Sequence, residues 1–190
     1  VNSLRRDIEH FRSMMEYQVE GIIFCPSYHY DDASEELWSE YRECLDQIQS
    51  MGIRLVAIAS STSQRESLCI CHDYGQGTRA VIDHLVSLGH RRIAFITPVY
   101  DKNIANDRLE EYKAALRNHG LRFLKRLVAE CPNERKAAYE ATRALVKANP
   151  DITALFSFND YVAMAVIRAL KDMGLRVPGD VAVVGFDDIA

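Results

Sequence analysis

Apolar residues recur along this chain in two alternating rhythms. Leu4, Ile8, Phe11 and Met15 fall at helical spacing after Asn2 and Ser3, which can cap a helix. Gly21 to Pro26 is then a short, nearly unbroken apolar run, the pattern of a strand buried on both faces and ended by proline. After a polar loop, Ser34 with Glu35 and Glu36 opens a second helix whose first turn carries acids. Its stripe is Leu37, Tyr41, Leu45 and Ile48, and Gly52 closes it.

The rhythm repeats to the end of the chain. A strand at 53–59 leads through a polar stretch to a short strand at 68–71. Helices are expected at about 77–88, 108–118, 134–148 and 160–173, stopped by Gly89, Gly120, Asn149-Pro150 and Gly174. Strands are expected at 92–97, 126–130, 153–158 and 181–186, the last running into Asp187-Asp188. Strand and helix alternate and the strands are apolar throughout, so the economical fold is α/β, with parallel sheets covered by helices. In such sheets ligands bind beyond the carboxyl ends of the strands, where the crossover direction switches.

Charge narrows the partners. Lys plus Arg number 23 against 27 acidic residues, a net charge of -4. A domain that gripped nucleic acid by itself would carry a basic excess, so any DNA contact must come from elsewhere. No apolar run approaches the length needed to span a bilayer, and the opening Asn2, Ser3, Arg5, Arg6 and Asp7 have no signal-peptide character. The cysteines are Cys25, Cys44, Cys69, Cys71 and Cys131; an odd number, mostly inside apolar runs, fits reduced thiols in a cytoplasm. Cys69-x-Cys71-His72 is too tightly spaced for the usual zinc pair, and on a strand both cysteines point to one face, so they read as small apolar residues. No metal and no cofactor is expected.

Polar residues collect just past the strands. Asp73 follows the strand ending at Cys71; Pro98, Tyr100, Asp101 and Asn103 follow Thr97; Arg108 opens the next helix. Phe158, Asn159 and Asp160 follow the run at 154–156, and Asp187 and Asp188 follow Phe186. Carboxylates accept from adjacent hydroxyls, a guanidinium donates a planar fork, and rings cover an apolar sugar face. Each residue also has a plainer use. Asp160 and Asp187 can cap helices, and Arg108 can pair with Glu111 on a helix surface. Trp38 and Tyr41 fit helix packing, His90 a connector, and Lys125-Arg126 a solvated patch.

Several stretches together resemble the LacI/GalR family of bacterial transcription regulators. They are Leu88-Gly89-His90-Arg91-Arg92-Ile93-Ala94, Arg108 with Tyr112 and Ala115-Leu116, and Phe158-Asn159-Asp160 with Ala163. The most distinctive is the tail from Gly174 through Arg176, Pro178, Asp180 and Gly185 to Asp187-Asp188. The resemblance implies a periplasmic-binding-protein-like fold of two Rossmann-like lobes, here 1–90 and 91–190. A small polar effector (a sugar, nucleoside or purine) would bind between them and control operator binding by an N-terminal helix-turn-helix. Matched by motif, Asp73, Arg108, Asn159 and Asp187 take effector-contacting positions, and Phe158 and Tyr100 are the aromatic candidates. A homodimer in the cytoplasm is implied as well.

The chain departs from that pattern. The helix-turn-helix, the first strand and helix of the first lobe, and the segment after Asp188 are missing from it. The stretch 26–51 is longer than usual, and Tyr28, Tyr30, Asp31 and Asp32 are expected to line or lid the cleft. Pro98 stands where a glycine is usual, as does Glu111 before Tyr112. Two other readings use the same fold class. An exported sugar-binding protein of a transporter would need a signal peptide upstream and fits buried thiols poorly. An enzyme would need a phosphate loop, a metal cluster or a nucleophile elbow, and no such motif is recognisable.

Overall fold

The amphipathic stripe of α1 (Leu4–Glu16) sets the first core: Leu4, Ile8 and Phe11 are buried at the spacing of one helix face. The computed structural model describes residues 4–25, 33–59, 68–99 and 102–189. The loop carrying Tyr28, Tyr30, Asp31 and Asp32, the polar stretch 60–67, and Tyr100 and Asp101 lie outside the described residues.

The chain divides into two compact units after Asp73. In the first, β1 (Gly21–Phe24), β2 (Arg54–Ala59) and β3 (Leu68–Cys71) form a parallel sheet in the order β1-β2-β3. Helix α2 (Glu35–Ser50) starts as the sequence indicates: Ser34 is its N-cap, with Oγ accepting from the Leu37 N–H at 3.3 Å. Its Tyr41, Cys44 and Ile48 join α1, Ile22 and Ile53 in one core, where Phe11 meets Phe24 edge-on at 4.9 Å. Trp38 packs edge-on against Tyr41 at 5.7 Å. Strand β1 is not buried on both faces as its apolar run suggests. The pleat gives Ile22 to that core and turns Ile23 away, leaving it 73% exposed.

The second unit contains α3 (Tyr74–Ser87), β4 (Ile93–Pro98), α4 (Lys102–Asn118), β5 (Val128–Cys131), α5 (Arg135–Ala148), β6 (Ala154–Ser157), α6 (Asp160–Asp172) and β7 (Ala182–Val184). Its four strands are parallel in the order β5-β4-β6-β7. The expected boundary at residue 90 put α3 in the first lobe. Its Ile82, Leu85 and Val86 instead enter the core of the second unit, and the helix packs along α4. On one face of the sheet Phe95 stacks on Phe156 at 4.8 Å and meets Tyr112 of α4 at 5.3 Å. Tyr112 donates its hydroxyl to the Ile93 carbonyl at 2.8 Å, and burial pushes its phenol well above the ordinary range. Helices α5 and α6 pack as a second pair.

Two boundaries differ in ways that matter for the site. Helix α4 begins at Lys102, so Arg108 sits in its second turn, not at its start. No glycine or proline breaks the segment, and Arg108, Tyr112 and Ala115 share its buried face; the polar first turn hides the helix from a hydrophobicity pattern. Residues Lys125–Leu127 form a 3-10 turn before β5. There Arg126 is not simply solvated: its Nε donates to Asn149 Oδ1 and its carbonyl accepts from Asn149 Nδ2, both at 3.0 Å.

Candidate functional site

The order β5-β4-β6-β7 fixes where the second unit can bind. After β4 the chain moves outward through α4 to β5; after β6 it moves the other way through α6 to β7. The carboxyl ends of β4 and β6 therefore flank the switch point, where no crossover covers the crevice. Phe158, Asn159, Asp160 and Arg108 gather there.

Arg108 is the centre of this group. It is 3% exposed, and Nη1 donates to the Phe158 carbonyl at 2.5 Å. Its Cζ lies 4.3 Å from the centroid of the Tyr74 ring and 4.4 Å from that of Phe186. The two centroids are 6.0 Å apart and the ring planes are tilted by 43°, so the directions from Cζ to the two rings are close to a right angle and the guanidinium sits in the notch between them. Arg108 is thus no surface partner of Glu111. That carboxylate takes Nε and Nη2 of Arg79 at 3.0 and 2.7 Å, joining α3 to α4.

The amide and the acids divide their tasks differently from the sequence reading. Asn159, not Asp160, caps α6: its Oδ1 accepts from the Val162 N–H at 2.8 Å, and its Nδ2 donates to Asn133 Oδ1 at 3.0 Å. Asp160 is the first helical residue, and its Oδ2 accepts from the Ile189 N–H at 3.0 Å. Asp187 caps no helix among the described residues. It is exposed, with φ of 97°, followed by Asp188 with φ of 54°. Two successive non-glycine residues in the left-handed region are strained, and such outliers gather at functional sites. Both line an open depression of about 380 Å³ with Asp160, Gly185 and Phe186.

Of the sequence candidates, the structure brings together Arg108 and the Phe158 backbone, with Asn159 next in the chain. The Phe158 ring is 1% exposed and belongs to the core rather than to a ligand-facing surface. Asp187 lies one residue beyond Phe186, on the rim of the depression. Asp73 is exposed at the end of the first unit, and Tyr100 lies outside the described residues. Sequence reasoning missed Tyr74 and Phe186 as parts of the site. The available signal was the pair of aromatics beside two selected acids, Asp73 and Asp187.

Residues 82–190, more than half of the chain, match the family described as the periplasmic binding protein-like domain. The chain is 29% identical to catabolite control protein A of Priestia megaterium over 96% of its own length and 52% of that protein. Among solved structures, a sugar-binding LacI-family regulator from Escherichia coli, complexed with phosphate, superposes with a TM-score of 0.78. The identity is 25%, covering 100% of this chain and 64% of that one. The chain belongs to the periplasmic-binding-protein-like family, on its LacI/GalR branch. A regulator named CelR, solved with cellobiose, also has the fold, with a TM-score of 0.71 and 28% identity over 94% of this chain and 53% of that one. The chain spans about half the length of the curated relative it matches end to end.

The LacI/GalR motifs have physical uses in this fold. Gly89, at φ of 92°, ends α3, and His90 turns the chain toward β4 with Nδ1 3.0 Å from Thr153 Oγ1. In the tail, Arg176 grips Asp180 through Nε at 3.0 Å and Nη2 at 2.7 Å, while its backbone N–H donates to the same carboxylate at 2.7 Å. That clasp closes the turn that delivers β7, and so Phe186 and Asp187, to the site.

Proposed function

We propose that this chain is the effector-sensing domain of a LacI/GalR-type transcription regulator, that the effector is a sugar or similarly polar small molecule, and that its binding biases operator binding by an N-terminal helix-turn-helix. The observation that carries this reading is the buried guanidinium of Arg108 at the switch point of a doubly wound sheet, with the strained Asp187 on the rim of the neighbouring depression. In this reading Arg108 donates to ligand oxygens, and Asp187 and Asp73 accept from hydroxyls. Asn159 and Phe158 serve mainly by holding the start of α6 and the end of β6. Arg108 is nearly inaccessible as it stands, so ligand entry requires local rearrangement. The domain works by differential affinity for two arrangements rather than by catalysis. We further place it in a cytoplasmic homodimer. The likeness to relatives named as regulators, one of them solved with cellobiose, supports the class of ligand.

A thermal-shift screen against sugars, nucleosides and purines tests the ligand. One class is expected to raise Tm, and Asp187→Asn is expected to abolish the rise while leaving the unliganded Tm unchanged. No shift with any of them overturns the effector assignment. The sequence of the parent gene upstream of Val1 tests the regulator: a helix-turn-helix is expected, and a signal peptide there would make this an exported binding protein instead.

A further inference from the structure

We propose that Tyr74 and Phe186 are positioning residues that hold the plane of the Arg108 guanidinium for its ligand, and that Gly77 is glycine in order to seat Phe186. The proposal rests on the reading of Arg108 as a ligand contact. A guanidinium is planar, and its value in recognition lies in the direction of its donors. The hydrogen bond from Nη1 to Phe158 sets the position of one corner of the guanidinium. The two converging rings, at 4.3 and 4.4 Å, restrict the orientation of its plane, because each favours the cation over its face.

The rings come from opposite ends of the second unit and are seated by different means. Tyr74 is the first residue of α3; Phe186 lies just past β7 and is backed by Phe156 at 6.4 Å. Gly77 is one turn beyond Tyr74 on the same helix face, where glycine is a poor helix former. A Cβ there would lie 2.5 Å from Cζ and 2.6 Å from Cε2 of Phe186. The ring edge rests on bare helix backbone, and any side chain at 77 would push it out of the notch. Nothing in the hydrophobic pattern of α3 requires a glycine at this place; the contact with Phe186 does.

The test begins without ligand, by relaxation of arginine Nε in labelled protein, with the Arg108 signal assigned by its loss in Arg108→Lys. The wild type is expected to show an Nε order parameter near the rigid-backbone value of about 0.85 and an upfield ring-current shift of Hε. Tyr74→Leu and Phe186→Leu, which keep apolar volume and lose the ring, are expected to fall below about 0.6. Gly77→Ala, which removes no aromatic residue but displaces the Phe186 ring, is expected to lower the value as well. Tyr74→Phe and Phe186→Tyr are expected to restore it. An unchanged order parameter in both leucine variants overturns the proposal. The second arm titrates cellobiose and inorganic phosphate by calorimetry: the leucine variants are expected to bind about tenfold more weakly than wild type. If wild type binds and the leucine variants match it, the positioning role fails. If wild type binds neither probe, these two ligands are excluded for the effector reading, while the relaxation result still decides whether the rings hold the guanidinium.

Discussion

Arg108 donates from Nη1 to the carbonyl oxygen of Phe158 at 2.5 Å, tying the second turn of α4 to the end of β6 inside the fold. A charge-assisted bond of this kind cannot be lost cheaply, because the buried carbonyl loses its donor at the same moment.

Arg108→Ala is therefore expected to cost stability as well as binding. The hydrogen bond and the two ring contacts together suggest a loss of about 2–4 kcal/mol, read from urea unfolding. The sequence alone, reading Arg108 as a ligand clamp at a helix start, gives a change within about 1 kcal/mol in the unliganded protein. A measured change that small would mean the residue is held less firmly than the geometry indicates. Because the alanine variant mixes folding with recognition, Arg108→Lys is the better probe of ligand binding: it keeps a cation and loses the planar fork.

Gly185 is the next point of tension. A Cβ at this residue would collide with the Asp160 carboxylate, whose other oxygen receives the Ile189 N–H. Gly185→Ala is expected to lower stability by about 1–3 kcal/mol and to displace the segment carrying Asp187. Gly179→Ala is the control, since its Cβ would meet Arg176 Cβ at an ordinary 3.4 Å. If both variants melt alike, the close packing of Gly185 on Asp160 is not a constraint.

These contacts show where sequence reading stops. The alternation of strands and helices was legible because Ile93, Phe95 and Phe156, or Leu4, Ile8 and Phe11, carry the period of their elements in local order. The buried state of Arg108 was not, because its partners are a carbonyl and two rings supplied by Phe158, Tyr74 and Phe186, distant in the chain. The cap of α6 is not legible to the residue, because Asn159 and Asp160 are both good caps and only the backbone decides which is non-helical. Glu111, which breaks the family pattern, found its reason in Arg79, a helix away.

The Arg176–Asp180 clasp gives a pH signature. The Arg176 side chain, and then its backbone N–H, hold the Asp180 carboxyl down at about 2. A depressed folded-state value stabilises the fold above the ordinary aspartate range of about 3.9, and that contribution fades as pH falls toward 2. Carboxyl NMR titration is expected to find Asp180 with the lower midpoint, and Arg176→Ala is expected to return it toward 3.9. An ordinary midpoint in the wild type would show that the clasp is open in solution. The pair is solvent-exposed, so its removal should affect the turn before β7 more than global stability.

Thiol chemistry separates the cysteines by place. Cys25 is exposed after β1, whereas Cys44 and Cys131 are buried, and burial pushes both of those thiols above the ordinary range. The thiolate is the attacking species, so a raised pKa and poor access slow reaction together. Pulse labelling of the native protein with iodoacetamide at pH 8, read by peptide mapping, is expected to modify Cys25 at least about a hundredfold faster than Cys44 or Cys131. Unfolding in urea should bring the three rates together, because the difference resides in the fold and not in the thiols. Fast native labelling of Cys131 would mean that the edge of the sheet beyond β5 opens readily. The close packing assigned to the second unit would then have to be relaxed at that edge, while the β4–β6 switch point that carries Arg108 would be unaffected.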